Sequence, residues 1–381
     1  MNRSLLLGTG LCFLSVGLLI PMIPRFVTGP LGQGTGTVGV CLATAAVTAV
    51  LARPLAGRLA DRWGRAATAR AGAVVLAGAS FALLLADSLP ALLSSRAVAG
   101  VGEALAYVGL ATAASDQGRP GAAMNLFSIT VNVGLLAGPA LAEVVHSAAG
   151  FDAVWVLSGV TAAGVAATSW LFGDPAEPTG RRDGGPLVHR AAVLPGLAYL
   201  AAVWGYTAFS AFIPLHVATL GHGASGAHFL VYGGVLLAVR LGGHRPLARI
   251  DPRRRGFASL ALTAAGLIGL AVWPSMAGTL VASAVIGAGQ ALGLPAFLAI
   301  AVAGLPAGQR GSAVATTTAF FDLGFLSAAL TLGAVAQSLG LASGFAIAGG
   351  VSVLALLLFV PMARRARAVV PSGGSLDHHP S

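Results

Sequence analysis

Not one lysine occurs among the 381 residues, so all 22 basic side chains are arginine. Acidic residues number only 12, and charged residues of both signs make up 9% of the chain. A soluble domain of ordinary composition carries about 25% charge, so that class is excluded. The 2 cysteines, Cys12 and Cys41, lie inside apolar runs and supply neither a disulfide framework nor a thiolate metal site. No phosphate-cradling P-loop pattern is present, which argues against direct drive by ATP and against a nucleotide cofactor. A membrane enzyme would show paired acids or histidines at one end of its apolar runs, and none is visible. A sensor would want a soluble domain, and the polar stretches are too short to hold one.

What is abundant is apolar surface, at 56% hydrophobic residues and a mean hydropathy of +0.85. The chain reads as an all-α polytopic membrane protein whose main partner is the lipid bilayer. The absence of lysine beside much Ala and Gly suggests a high-GC bacterial host, hence a bacterial inner membrane. A net charge of +10 invites a nucleic-acid reading. The arginines, however, fall between apolar runs rather than along one solvated face, which membrane topology explains better.

Twelve spans are expected, at about 4–25, 35–55, 68–87, 90–112, 122–146, 150–172, 191–218, 226–243, 257–274, 277–303, 311–338 and 342–362. Arg3 followed by Leu5 to Ile20 has the outline of a signal peptide, but no small-residue cleavage site follows, so it is kept as the first span. Nearly every arginine between spans then falls on one side, with Arg25 the exception, and the positive-inside rule places both termini in the cytoplasm. The segment 173–190 is rich in Pro, Gly and charge and reads as a cytoplasmic linker between a bundle at 1–172 and a bundle at 191–362. The tail at 363–381 has a disordered composition, and His378 and His379 in it read as solvated rather than metal-binding. The halves echo each other: Arg96 to Leu105 and Ser283 to Leu292 agree at six of ten positions, Gly-x-Gly in register. Such duplication is how transporters place a site at the membrane midplane.

Ionisable or polar groups inside spans are costly and mark function. Arg96 and Glu103 share one face of the fourth span about 10 Å apart, too far to pair. Glu143 in the fifth span lies at the depth of Arg96, and a cross-helix Arg96–Glu143 ion pair responsive to protonation is expected. Asp322, amid the eleventh span, suits proton carriage or pairing with a cationic substrate, and a merely solvated cavity residue is the rival reading. Asn132 occupies the matching place in the fifth span as a neutral mate across the cavity. Tyr107, Trp204, Tyr206, Phe209 and Gln290 are candidates to line a broad apolar pocket with a few polar handles, although aromatics in spans also serve packing. His216, His222 and His228 have no compact metal spacing, and no metal site is expected.

The stretch Gly57-Arg58-Leu59-Ala60-Asp61-Arg62-Trp63-Gly64-Arg65 packs charge and glycine between the second and third spans, with Gly57 and Gly64 suited to bends and close approach. It resembles the loop between helices 2 and 3 of the major facilitator superfamily, G-x-L-A-D-R-x-G-R. Arg96, Gly100 and Gly102 fit that family's fourth-helix pattern, in which the Arg is tied to proton coupling. Gly134-Leu-Leu-Ala-Gly138-Pro139 is similar to its antiporter signature, though the further glycines are Ala140, Leu141 and Ala142 here. Pro21-x-x-Pro24 is similar to the first-helix end of twelve-span exporters. The resemblance implies two pseudo-symmetric six-helix bundles and proton-coupled efflux of a drug or secondary metabolite by a carrier expected to be monomeric. A nutrient importer is the alternative. It further implies a cytoplasmic latch, with Asp61 approaching the eleventh helix near Gly311 and Ser312, and Arg65 meeting Asp116.

Overall fold

A computed structural model describes residues 2–117, 120–172, 189–221, 225–243, 246, 247, 249–305 and 307–368. Most of the expected linker, the tail beyond 368, Arg119 and His222 lie outside the described residues. Every regular element among them is helical. In chain order these are α1 (Arg3–Thr28), α2 (Thr35–Trp63), α3 (Arg65–Ala82), α4 (Leu89–Ser115), a long element Pro120–Thr168, α7 (Arg190–Thr219), α8 (Gly226–Gly242), α9 (Pro252–Val272), α10 (Met276–Val302), α11 (Ala307–Leu339) and α12 (Leu341–Ala368). The long element is broken at Gly150, whose φ of 77° and ψ of −170° no helix tolerates. It is therefore two segments, α5 at 120–149 and α6 at 151–168. Ten stretches among the described residues are long and apolar enough to cross a membrane, the one at Leu126–Thr168 containing the Gly150 break. α8, at 17 residues, is apolar but shorter.

Two expectations need correction. The turn placed at 56–67 is helix up to Trp63, and only Gly64, at φ 93°, joins α2 to α3. Gly57 sits in open helix with no neighbour that a side chain would meet, so it makes neither a bend nor a close approach. The tail was expected to begin at 363, yet α12 runs on to Ala368.

Helix packing repeats with an offset of six. α1 packs on α5 and α6, as α7 does on α11 and α12; α4 packs on α2 and α3, as α10 does on α8 and α9; α3 meets α6 as α9 meets α12. The duplicated glycines carry this repetition. A side chain at Gly100 would strike the Ala45 carbonyl of α2, and one at Gly287 would strike the Tyr232 carbonyl of α8. Likewise Gly102 lies against Leu76 of α3 and Gly289 against Ser259 and Thr263 of α9. Lipid gives helices no hydrophobic drive to associate, so such small-residue contacts, which let backbones touch, supply the packing.

The two halves meet through α2 with α11, α5 with α8, and α1 with α7. Alternation of the helices puts Arg3, Gly64, Arg65 and Asp116 at one end of the molecule and Arg25, Glu143 and Gly150 at the other. At the arginine-poor end one apolar core crosses between halves, joining Leu18, Met22 and Val38 to Ile213, Phe229 and Leu332. Toward the arginine-rich end each half keeps its own core. One contains Leu5, Ala73 and Leu110, the other Tyr199, Leu260 and Phe297.

Candidate functional site

Where the halves part, α2 and α11 are bridged by charge. Arg53, ten residues before the end of α2, gives Asp322 of α11 two hydrogen bonds, from Nη1 to Oδ2 and from Nη2 to Oδ1 at 2.9 Å. A planar guanidinium matched to both carboxylate oxygens is the strongest geometry an ion pair has. Arg53 also lies 5.4 Å over the ring of Tyr107 from α4. Glu103, four residues earlier and so on the same face of α4, is half-buried, with no hydrogen bond or ion pair among the described residues, and is in electrostatic range of Arg53 and Arg96.

Beside this cluster is a cleft between α5 of the first half and α7, α8, α10 and α11 of the second. Asn132, Tyr206 and Gln290, expected there from the sequence, do line it. Gln290 is held by a 2.8 Å hydrogen bond from its Nε2 to the Ala202 carbonyl. Arg240, Tyr199, Tyr232 and Phe321 line it as well and were not foreseen as cleft residues.

Other expected site residues stand elsewhere. Phe209 is 0% exposed and stacks on Tyr232 at 4.7 Å, so it packs the core behind the cleft wall instead of facing it. Trp204 donates its indole N–H to Ser327 at 2.9 Å and lies against the shared apolar core. Asn132 gives its amide N–H to the Ser128 carbonyl of its own helix at 2.6 Å and makes no bond to Asp322.

The expected Arg96–Glu143 pair is absent. Glu143, 2% exposed, instead meets Arg25 of α1 at 3.1 Å. This is a charge contact without the angle of a hydrogen bond. Its other oxygen accepts a hydrogen bond from Ser225 at the start of α8, 2.7 Å away. Arg96, half-buried in α4, has no ion pair among the described residues, and its Nε is buried without a partner. The reason is that α5 leans on α1 while α4 leans on α2 and α3.

Gly134, Gly138 and Pro139 lie where α5 crosses α1. A Cβ at Gly138 would come within 2.6 Å of the Gly17 Cα, and one at Gly134 within 2.8 Å of the Leu14 nitrogen. At the arginine-rich end Arg65 donates from Nε to Asp116 at 2.9 Å and from Nη1 to the Ala60 carbonyl at 3.0 Å, fastening the end of α2 to the end of α4. Asp61 reaches the same guanidinium at 3.6 Å with its side chain 81% exposed, and Arg62 is exposed. All these contacts stay within the first half. The side chains of Gly311 and Ser312, where Asp61 was expected to dock, lie outside the described residues.

The sequence profile of the Major Facilitator Superfamily matches residues 5–282. The chain belongs to this superfamily. An uncharacterized MFS-type transporter of Burkholderia mallei is 29% identical over 92% of this chain and 90% of its own length. Another, of Pseudomonas aeruginosa, is 28% identical over 96% and 93%. Among solved structures, the inward-open xylose transporter XylE of E. coli superposes with a TM-score of 0.76 at 14% identity, over 93% of this chain and 94% of that one. This MFS chain is thus a multi-pass membrane transporter and not an enzyme, acting on a small molecule in a lipid bilayer.

Proposed function

We propose that this transporter is a twelve-span, proton-coupled exporter of small amphiphilic compounds, with bundles at 1–172 and 191–362 rocking about the cleft and both termini cytoplasmic. The observation that carries this reading is the Arg53–Asp322 bridge, a carboxylate within a span that ties one half to the other at the edge of the cleft. With the arginine-rich end facing the cytoplasm by the positive-inside rule, the parted cores describe a carrier open inward. In that state Asp322 is unprotonated and holds Arg53. Once the loaded carrier has turned outward, a proton from outside discharges Asp322, and release of that proton to the cytoplasm on the return lets the carboxylate hold Arg53 again. Glu103 is a second carboxylate in reach of the same cation. The small-residue crossing of α5 on α1, similar to the antiporter signature, supports export over import.

The test is uptake of candidate amphiphilic compounds into inverted membrane vesicles energised by respiration. Accumulation that an uncoupler abolishes is expected, and Asp322→Asn reduces it to background while the purified variant still binds the compound. Undiminished accumulation by Asp322→Asn removes this carboxylate from the mechanism. Uptake into right-side-out vesicles down the opposite gradient would favour the nutrient importer.

A further inference from the structure

Arg25, Arg53 and Arg65 each have a carboxylate partner, in Glu143, Asp322 and Asp116. Arg240 does not. It stands in the last turn of α8 and lines the cleft, yet among the described residues it has no ion pair. The rings of Tyr232 and Tyr199 line the cleft with it. Its Nε donates to the Ala291 carbonyl of α10 at 3.3 Å, which uses one of five N–H donors and fixes the plane of the fork. The C-terminal carbonyls of α8 favour a cation in this turn, and the remaining N–H donors of the fork are left for an anion in the cleft.

The rest of the lining says what else the ligand carries. Among the described residues no carboxylate lines the cleft, and Asp322, next to the lining residue Phe321, is occupied by Arg53. Tyr199 and Tyr206 both stand tilted to Phe321, at centroid distances of 6.1 and 6.5 Å. Those rings offer faces and edges to another ring. Asn132 and Gln290 add neutral polar handles.

We propose that the cleft binds an aromatic compound bearing a negative charge, such as an aryl carboxylate, with Arg240 as its counter-ion and the Tyr199, Tyr206 and Phe321 rings around its apolar body. This narrows the substrate class of the transport reading above and rests on it. It disfavours aromatic cations, which would meet the Arg240 guanidinium at the cleft wall.

Calorimetric titration of the purified full chain in lipid nanodiscs tests the assignment with three probes sharing one ring: 1-naphthaleneacetate, its primary amide and 1-naphthylmethylamine. A charge-assisted contact predicts that the acetate binds about tenfold tighter than the amide, with the amine weakest. Arg240→Gln should bring acetate and amide to within about twofold without weakening the amide, and Arg240→Lys should restore part of the gap. Tightest binding by the amine, an acetate preference that survives Arg240→Gln, or no binding of any probe overturns the proposal. Uncoupler-sensitive accumulation that depends on Asp322 would in that event leave the carrier reading standing. Conversely, Arg240-dependent acetate binding without gradient-driven transport would retire the carrier mechanism and keep the anion site.

Discussion

The two ends of this transporter are built differently, although the sequence supplies both with the same small, apolar residues. At the arginine-poor end, a single core crosses the halves and is supplemented by polar clasps: Ser225 on Glu143, and the Gly36 amide on Gln337 at 3.2 Å. At the arginine-rich end the polar contacts around Arg65 join α2 to α4 within one half. Packing inside a half has to survive every state of the cycle, whereas packing between halves has to be broken and remade. The closure at the arginine-poor end is accordingly made of shallow contacts. Gly39 of α2 abuts the Ala329 carbonyl and Gly333 of α11, where no long side chains interlock.

The sharpest way to break this contrast is to remove Glu143. It serves both kinds of contact at once, Arg25 within its half and Ser225 across the divide. Glu143→Leu leaves the Arg25 guanidinium, 19% exposed, without its anion. A loss of about 3 kcal/mol in unfolding free energy is expected, the lower end of the cost of stranding a buried charge. Ser225→Ala removes only the cross-half bond and should cost about 1 kcal/mol, felt in the closure and not in the stability of the first half. Denaturant unfolding in detergent, with spin-label distances between Gln33 and Ser338 across the arginine-poor end, separates the two. Equal effects of both substitutions on stability would mean that the ends do not differ as described.

A substitution confined to the boundary comes next in size. Gly39→Val inserts side-chain atoms against the Ala329 carbonyl, and such overpacking costs about 2 kcal/mol. The strain exists only while this end is closed, so it should emerge as a population shift of about thirtyfold toward opening there. The expected result is a lengthened Gln33–Ser338 distance with an unchanged melting temperature. A drop in melting temperature without any lengthening would show that Gly39 belongs to a permanent interface.

Much of this organisation was legible in the chain. The spans follow from apolar runs of about 20 residues, and the repeated Gly-x-Gly at Gly100 and Gly287 marked the sixfold offset that the packing displays. The Arg65–Asp116 contact was legible because both residues sit at helix ends on the same side. Partnerships within the membrane were not. Arg53 and Asp322 are separated by 269 positions, and nothing in the expected second span at 35–55, which contains Arg53, says that α11 stands alongside. Glu143 went to the wrong arginine because sequence gives depth along a helix but not which helix stands alongside. Phe209 shows the remaining limit. An aromatic facing a cleft and one stacked just behind it differ by a rotation of one helix, which composition does not report.

The smallest expected effect falls on the most recognisable residue. Asp61, 81% exposed and 3.6 Å from Arg65, is a surface ion pair, and such pairs contribute about 0.5 kcal/mol or less. Asp61→Asn should therefore leave both the melting temperature and the arginine-poor end untouched. Its expected role as a latch can only be exercised when the arginine-rich ends approach, because in the present state the described contacts of Asp61 are confined to its own half. The substitution should then slow uncoupler-sensitive transport while sparing substrate binding, since only the state that closes this end is weakened. Transport at the unaltered rate would show that Arg65 and Asp116 hold this end without Asp61, and that its carboxylate is a solvated group on the α2 terminus.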